Sequence, residues 1–347
     1  MRVTGRSSSR NYLKYLNKAL TDQAAIQERM SSKNRFEKVS DDVSSGIQAM
    51  KARTELFKAE KNLDNVQSIN DMMTSAESAL ISSEERLSDI YPKILKAVNG
   101  TTNESDRKVL AQEIEAMRME ILTNLNTQIS GQYLFGGTNN YSAPFTFDDK
   151  TGKLKYNGVL VDEIQKREDG TYFYESQDAG GNKIEVEIPM DKDVYMDVGL
   201  GIRMSGPSVD ASTAFKISFS GLDIAGWGVD GEGMSDNFLN ILGEIHDELV
   251  SDNYSSKNVD KLATKLKALS DKFLTNVTDM GSRTQFLSSM EDRLEKNVNT
   301  LDNKISRLTA TEYDEESIHQ ATNTAVLNAL YRLGSSVIPL SLMDFLS

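Results

Sequence analysis

Residues 52–98 read ARTELFKAEKNLDNVQSINDMMTSAESALISSEERLSDIYPKILKAV, and this stretch decides the fold. Its stripe positions alternate steps of four and three residues, and eleven of the fourteen are apolar. A period of 3.5 residues keeps one stripe against a partner helix, so the pattern predicts a coiled-coil helix from about Val43 to Val98. Pro92 should kink its last turns, because proline removes one backbone donor. The fourteen positions are Ala52, Leu56, Ala59, Leu63, Val66, Asn70, Met73, Glu77, Leu80, Glu84, Leu87, Tyr91, Ile94 and Val98.

A second stripe of matching length lies far downstream, over residues 257–308. It keeps the same alternation to Leu294, then slips by one four-residue step, which locally unwinds a supercoil. Two long stripes of this kind predict that residues 43–98 and 257–308 pack together. The positions are Val259, Leu262, Leu266, Leu269, Phe273, Asn276, Met280, Arg283, Leu287, Met290 and Leu294, then Val298, Leu301, Ile305 and Leu308.

Shorter amphipathic helices complete the helical part. Asn99-Gly100 should end the first long helix, and a capping cluster at 102–105 should start a helix that folds back on it. Each chain end adds one helix of about 20 residues, which is marginal alone and needs an apolar partner. That partner is either the other terminus or another subunit. The terminal stripes are Tyr12, Leu16, Ala19, Gln23, Ile26 and Met30, and Val326, Leu330, Leu333, Val337 and Leu340.

The middle of the chain has the texture of β structure. Residues 172–174 and 184–188 flank the turn sequence DAGGN, which predicts a hairpin with one solvated face. The zone 138–235 has a net charge of −8, which suits a solvated outer surface, whereas residues 1–38 carry +6. We therefore predict an α+β fold in which the N- and C-terminal regions form a long antiparallel coiled-coil bundle and a β-rich domain is inserted between them. The predicted segments are 1–42, an assembly helix and turn; 43–138, half of the bundle; 139–235, the β domain; 236–310, the other half; and 311–347, a second assembly helix.

Composition excludes several classes of protein. The 347 residues include no Cys and only two His, so disulfides, thiol chemistry, cysteine metal sites and histidine-rich sites are excluded or nearly so. No run of about 18 apolar residues is present, so we expect no membrane span. The first ten residues are basic and lack an apolar core, so we expect no cleaved secretory signal.

Three motifs that could carry chemistry are better explained structurally. The sequence GWGVDG at 226–231 matches G-x-G-x-x-G, but no second parallel strand follows, so we interpret it as a glycine-rich turn. Residues Glu244, His246, Asp247 and Glu248 lack metal-ligand spacing and fit a solvated helix face. The basic N-terminal arm accompanies an apolar stripe in an acidic chain, which favours contact with a protein neighbour over nucleic acid. We therefore predict no enzyme activity and no cofactor.

Several motifs resemble the flagellin-type axial proteins of the bacterial flagellum. The first is MSSKNRF at 30–36 followed by Ser40-Asp41-Asp42, where family members commonly have glycine at the position of Lys33. Others are Asn99-Gly100-Thr101 with Asp106-Arg107, MGSR at 280–283 and EDRL at 291–294. GQYLFGGT at 131–138 with Pro144-Phe145, and PLSLMDFL at 339–346, are similar to the hook-associated subgroup.

The resemblance implies a structural protein at the hook–filament junction, exported by the flagellar type III apparatus and placed outside the cell. The implied partners are hook-associated protein 1, flagellin, further copies of the chain, and an export chaperone at the C-terminal helical end. The alternatives are a flagellin and an extracellular coiled-coil adhesin. The expected assembly interface comprises Tyr12, Leu16, Ile26, Met30, Asp41, Asp42, Val326, Leu330, Leu333, Val337, Leu340, Leu342, Phe345 and Leu346.

Overall fold

The structure is a computed structural model that describes residues 5–99, 102–148, 151–168, 170–178, 181–188, 194–206, 208–210 and 212–337. Two compact units are present, one of residues 1–60 with 295–347 and one of residues 61–294. The helices are α1 (Gly5–Ser32), α2 (Val43–Val98), α3 (Glu104–Leu125), α4 (Gly221–Ala225), α5 (Phe238–Val250), α6 (Ser256–Thr309) and α7 (Tyr313–Val337).

Short antiparallel strands lie between α3 and α4. They are β1 (Gln128–Ile129), β2 (Gln132–Tyr133), β3 (Phe145–Phe147), β4 (Leu154–Tyr156), β5 (Val159–Leu160), β6 (Ile164–Lys166), β7 (Tyr172–Gln177), β8 (Lys183–Glu187), β9 (Tyr195–Met196), β10 (Met204–Ser205), β11 (Ser208–Val209) and β12 (Phe215–Lys216). They form three two-stranded pairs and the three-stranded sheets β3-β4-β5 and β6-β7-β8. The predicted α+β architecture, a helical bundle with β structure inserted between its halves, is confirmed.

Within the unit 61–294, α2 and α6 run antiparallel, as their two stripes predict. Asn70 Nδ2 donates to Glu291 Oε2 at 3.1 Å, and further along α2 the Lys267 ammonium lies 5.9 Å from the centre of the Tyr91 ring. Stripe residues such as Met73 and Leu287 are fully buried between them. Pro92 lies within α2, which continues as helix to Val98. The coiled-coil prediction for this pair is therefore confirmed.

The predicted fold-back of α3 is also found. Asn103 caps the helix, because its side-chain oxygen accepts from the backbone amide of Asp106 at 2.8 Å. Arg86 of α2 pairs with Glu120 of α3 at 2.9 Å, which fixes the antiparallel arrangement. The other side of α3 packs on α5, where the guanidinium of buried Arg118 donates to the carbonyl of Leu239 at 2.7 Å.

Aromatic pairs pack within the β structure and within the helical core, and other side chains join the two. Phe145 and Tyr156 pack at 5.2 Å between ring centres, and Phe238 of α5 meets Phe273 of α6 at the same spacing. The sheet β3-β4-β5 is joined to the helices by Arg118 of α3, whose guanidinium lies 4.1 Å from the centre of the Phe147 ring, and by Asn240 of α5, whose Oδ1 accepts from the amide of Leu154 at 2.9 Å.

Residues 172–188 form the predicted hairpin. Strands β7 and β8 pair antiparallel, with Tyr174 opposite Val186 and Ser176 opposite Ile184. The inner end of β7 is buried, whereas most of β8 is exposed. One face is therefore solvated, as the sequence predicts.

The glycine motif at 226–231 is a turn, which agrees with the interpretation from sequence. Gly226 has φ +88°, and a Cβ added there would lie 2.0 Å from the carbonyl oxygen of Asp236. Asp230 Oδ1 then accepts hydrogen bonds from the backbone amides of Glu232 and Met234 at 2.9 and 3.0 Å. The close backbone approach, rather than a ligand, explains the first glycine.

Candidate assembly surface

Helices α1 and α7 form a close antiparallel pair in the unit 1–60 and 295–347. The α1 residues that face α7 are those of the predicted N-terminal stripe: Ala19 and Ile26 are buried, and Tyr12, Leu16 and Met30 are half-buried. On α7 the facing positions are Glu316, Gln320, Asn323, Leu327, Leu330 and Gly334, with Leu327 and Gly334 buried and the others half-buried. We call these two sets the inner stripes.

Polar contacts fix the register of the pair. Asn323 Nδ2 donates to the carbonyl of Ala19 at 2.9 Å and to Gln23 Oε1 at 3.0 Å. At one end the Tyr12 ring packs against Gly334, where a Cβ would lie only 2.5 Å from the Tyr12 hydroxyl oxygen. At the other end the Tyr313 hydroxyl donates to the carbonyl of Met30 at 2.9 Å. A side-chain amide within an otherwise apolar stripe specifies one alignment, because other alignments leave it unpaired.

One two-pronged ion pair joins the helices near the α1 C-terminus. Arg29 Nε and Nη2 donate to the two carboxylate oxygens of Glu316 at 2.8 and 2.9 Å. The hydrogen bond from Arg29 holds the pKa of Glu316 below its usual value, and the same bond raises the pKa of Arg29. A parallel pair of charge-assisted hydrogen bonds adds orientation as well as energy.

The turn after α1 is tied to the connection before α7. The amide of Arg35 donates to the carbonyl of Thr309 at 2.8 Å, and that of Thr311 to the carbonyl of Lys33 at 3.0 Å. Lys33 has φ 61°, in the left-handed region where glycine is favoured. The resemblance-based expectation of glycine at this position therefore has a physical basis.

The predicted interface residues Asp41 and Asp42 form hydrogen bonds within this turn. Asp42 Oδ1 accepts from the amide of Ser45 at 3.0 Å and Oδ2 from Arg35 at 2.6 Å. These bonds, the one to Ser45 first, hold the pKa of Asp42 below its usual value. Asp41 accepts from the amide of Lys38 at 3.1 Å. Both carboxylates shape the entry to α2.

Other predicted interface residues lie on the outside of the pair. Val326 and Leu333 of α7 are about half exposed, as are Leu13 and Leu20 of α1. Val337 closes α7. The remaining predicted residues, Leu340, Leu342, Phe345 and Leu346, lie outside the described residues. The pair thus carries apolar side chains on its outer faces as well as between its helices.

Sequence reasoning missed part of the inner stripe of α7. Leu327 and Gly334 are buried there, and Asn323 makes the central polar contact. Their signal is a regular 4,3,4,3,4 spacing from Glu316 to Gly334, which includes three polar residues and a glycine. A count of apolar residues does not find such a stripe.

The acidic residues and the histidine singled out in the sequence, Glu244, His246, Asp247 and Glu248, all lie on α5. His246 Nδ1 lies 3.0 Å from Asp247 Oδ1 on the partly exposed side of α5. Burial and the nearby Asp162 raise the pKa of Glu244, which lines a surface recess together with His246 and Asp247. Among the described residues no group of three or more His, Asp and Glu could hold a metal ion, and no helix is long and apolar enough to cross a membrane.

Comparison with known proteins agrees with the resemblance seen in the sequence. Residues 5–140 match the family model of the bacterial flagellin N-terminal helical region. No curated protein sequence gives a significant match. A candidate flagellar hook-associated protein from Vibrio parahaemolyticus has a similar structure, with 19% identity, a TM-score of 0.56, and coverage of 78% of this chain and 100% of that chain.

Two further solved structures are more distant. FlgL from Bacillus cereus has 16% identity, a TM-score of 0.47, and coverage of 75% of this chain and 99% of that one. Flagellar hook-associated protein-3 from Legionella pneumophila has 15% identity, a TM-score of 0.48, and coverage of 74% and 98%. Residues 5–140 therefore have the sequence pattern of the flagellin N-terminal helical region, and the chain has the fold of the Vibrio protein.

Proposed function

We propose that this chain is a structural junction protein of the bacterial flagellum, which links hook-associated protein 1 at the hook to the flagellin filament. The observation that carries the proposal is that α1 and α7 are apolar on their outer faces after packing against each other. Leu13, Leu20 and Val326 are 44–51% exposed. An exposed apolar face on a helix pair is typical of a surface that neighbouring subunits cover.

The sequence of α7 supports this interpretation. From Gln320 to Tyr331 it contains no charged side chain, although most of its residues are exposed in the single chain. A solvated helix face normally carries charges, so an uncharged one is suited to burial on assembly. Successive copies joined by non-identical surfaces would form a ring or helical array.

The partners follow from the same proposal. Hook-associated protein 1 lies on one side, flagellin on the other, and copies of this chain lie beside one another. Export proceeds through the flagellar type III apparatus to the outside of the cell, and a chaperone holds the C-terminal helical end before export. The match of the N-terminal region to the flagellin family and the fold shared with the Vibrio protein support this placement. The chain acts by assembly and catalyses no reaction.

The second candidate is a flagellin, which the family match at residues 5–140 favours. The two differ in self-assembly. A flagellin polymerises alone into long filaments, whereas a junction protein stops at a limited array. Incubating the purified chain under conditions that polymerise flagellin, followed by electron microscopy, separates them.

A deletion strain tests the junction proposal directly. We expect cells that secrete flagellin but hold none on the hook, and restoration of filaments by the intact gene. Val326→Asp should fail to restore them, because a charge would enter the covered face, whereas Ser317→Asp, at an exposed position in the charged first turns of α7, should succeed. Removing residues 342–346 should also prevent incorporation while circular dichroism of the remaining chain is unchanged. Filaments on the deletion strain would contradict the proposal.

A further inference from the structure

The first turns of α2 carry an exposed apolar stripe that no contact described so far uses. Its members, Val43, Ile47, Met50, Thr54 and Phe57, follow 4,3,4,3 spacing, and the four apolar ones are 45–61% exposed. We call this set the α2 outer stripe. It is two heptads long, and its spacing is that of the residues through which the helices of a coiled coil contact each other.

The stripe is distinct from the buried face of the same helix segment. Ala49, Ala52 and Ala59 are buried and lie on the far side of the helix, whereas Gly46, which borders the stripe, is covered by Val39. An amphipathic helix needs only one apolar face to pack within its own chain. A second apolar face at heptad spacing therefore points to a second helix from outside the chain.

The outer face of α7 offers a matching set of positions. Ile318, Thr322, Val326, Ala329 and Leu333 are all exposed, and we call them the α7 outer stripe. The steps from Leu333 back to Thr322 are 4,3,4, the same as those from Val43 to Thr54. In this register the larger side chains of Ile47 and Met50 on α2 would face the smaller Ala329 and Val326 on α7.

The two threonines are prepared for an apolar contact. Thr54 Oγ1 donates to the carbonyl of Met50 at 3.0 Å, and Thr322 Oγ1 donates to the carbonyl of Ile318 at 2.9 Å. Each hydroxyl is thus satisfied within its own helix. Covering these positions leaves no unpaired hydroxyl, which removes the usual cost of burying one.

Charge selects the direction of the contact. An antiparallel arrangement places Phe57 beside Ile318, so that Lys58 lies near Glu315. A parallel arrangement would instead place Asp41 and Asp42 near the acidic start of α7. Like charges at close range are destabilising, and opposite charges near the stripe fix register.

We propose that the α2 outer stripe of one copy packs antiparallel on the α7 outer stripe of an adjacent copy. The inference rests on the proposed function, because an axial array supplies the adjacent copy. Two heptads are too short to hold one pair of copies in dilute solution, so the contact forms where many copies lie side by side. The surfaces are different, so each copy uses its α2 on one neighbour and its α7 on the other.

Engineered cysteines test the contact directly, because the natural chain has none. Cells expressing Met50→Cys and Val326→Cys as two differently tagged copies are oxidised mildly. We expect a dimer of twice 38.6 kDa that carries both tags. The matched control pairs Val326→Cys with Glu55→Cys, an exposed position off the stripe, and should give no such dimer. Absence of the Met50 dimer in incorporated protein, or equal dimer in the control, overturns the proposal.

A second experiment places opposite charges on the two stripes. It gives a result even if the cysteine variants fail to incorporate, and it tests whether the α2 outer stripe contacts a second copy of the chain. Met50→Lys should abolish attached filaments without changing the circular dichroism of the chain, whereas Glu55→Lys should leave them intact. Adding Val326→Glu to Met50→Lys should restore filaments. Unchanged filaments with Met50→Lys overturn the stripe as an interface, and loss without restoration overturns a second copy as its occupant. The cysteine dimer reports the contact even if the deletion strain contradicts the junction role.

Discussion

The ion pair between Arg29 and Glu316 should contribute measurable stability to the α1–α7 pair. We consider the single substitutions Arg29→Met and Glu316→Met and their combination, since methionine keeps most of the side-chain volume. Arg29 is 29% exposed and Glu316 only 12%, and the contact has two parallel hydrogen bonds. Hydrogen bonds to charged groups contribute about 1.5–3 kcal/mol, and exposed ion pairs about 0.2–1 kcal/mol. For this partly covered pair we expect a coupling free energy of about 1.5 kcal/mol, roughly a tenfold change in the opening equilibrium.

Hydrogen exchange of α1 amides in the full chain measures this opening, because it detects local separation without global unfolding. Each single substitution should speed exchange and so lower the free energy of opening. The double substitution should lower that free energy by less than the sum of the two single effects. The control cycle uses Glu104 and Lys108, an exposed pair on α3 with 62% and 41% exposure, for which we expect a much smaller coupling because water screens both charges.

The same pair predicts a pH dependence. The pKa of Glu316 is lowered in the folded chain from an ordinary 4.5, so its contribution is complete above that value and is lost as pH falls through the folded pKa. The raised pKa of Arg29 has no effect in this range. Additive single substitutions, within about 0.5 kcal/mol, would refute the reasoning. Coupling that persists after acid has protonated the carboxyl would also refute it.

Further predictions concern buried polar and backbone features. Arg118→Met should lower the free energy of unfolding by about 1.5–3 kcal/mol, measured by thermal unfolding, because it removes the charge-assisted hydrogen bonds from the guanidinium to the carbonyls of Leu239 and Gly152. Gly226→Ala should cost about 2 kcal/mol or more, since alanine is strained at φ +88° and its Cβ would overlap a carbonyl oxygen, whereas Gly231→Ala meets open space and should be nearly neutral. Lys33→Gly should raise the free energy of opening of α1 by about 0.5 kcal/mol and so slow its hydrogen exchange, because relief of the left-handed backbone strain exceeds the added entropy of the unfolded chain. Faster exchange would contradict this.

The long helices were predictable because their stripes are long and regular. Any register error over residues 52–98 would expose a whole row of apolar side chains, so the sequence specifies the pairing strongly. The β structure between residues 128 and 216 was harder to predict from the sequence. Only the hairpin around residues 172–188 has enough alternation to predict, because most other strands contain two or three residues and owe their place to side chains such as Phe145 and Phe238.

The packing of the two terminal helices could be predicted in part. The α1 stripe faces α7, as its mostly apolar members predict, and its part in assembly stays a prediction. The inner stripe of α7 was missed because Asn323 and Gly334 contribute shape and hydrogen bonding instead of apolar area. The α2 outer stripe was hidden by the stronger stripe on the other side of the same helix. Periodicity identifies apolar positions, but only the packed chain tells which of two faces remains uncovered.

The backbone pairing between residues 33–35 and 309–311 has a consequence for how the chain ends behave. Asn34 and Ala310 form an antiparallel bridge, flanked by the two hydrogen bonds from Arg35 and Thr311. Peeling α1 away strains the connection that starts α7, and the reverse is equally true. The first and last parts of the chain are therefore expected to come loose, and to settle, in a single concerted event, although synthesis separates them by almost the whole length of the polypeptide.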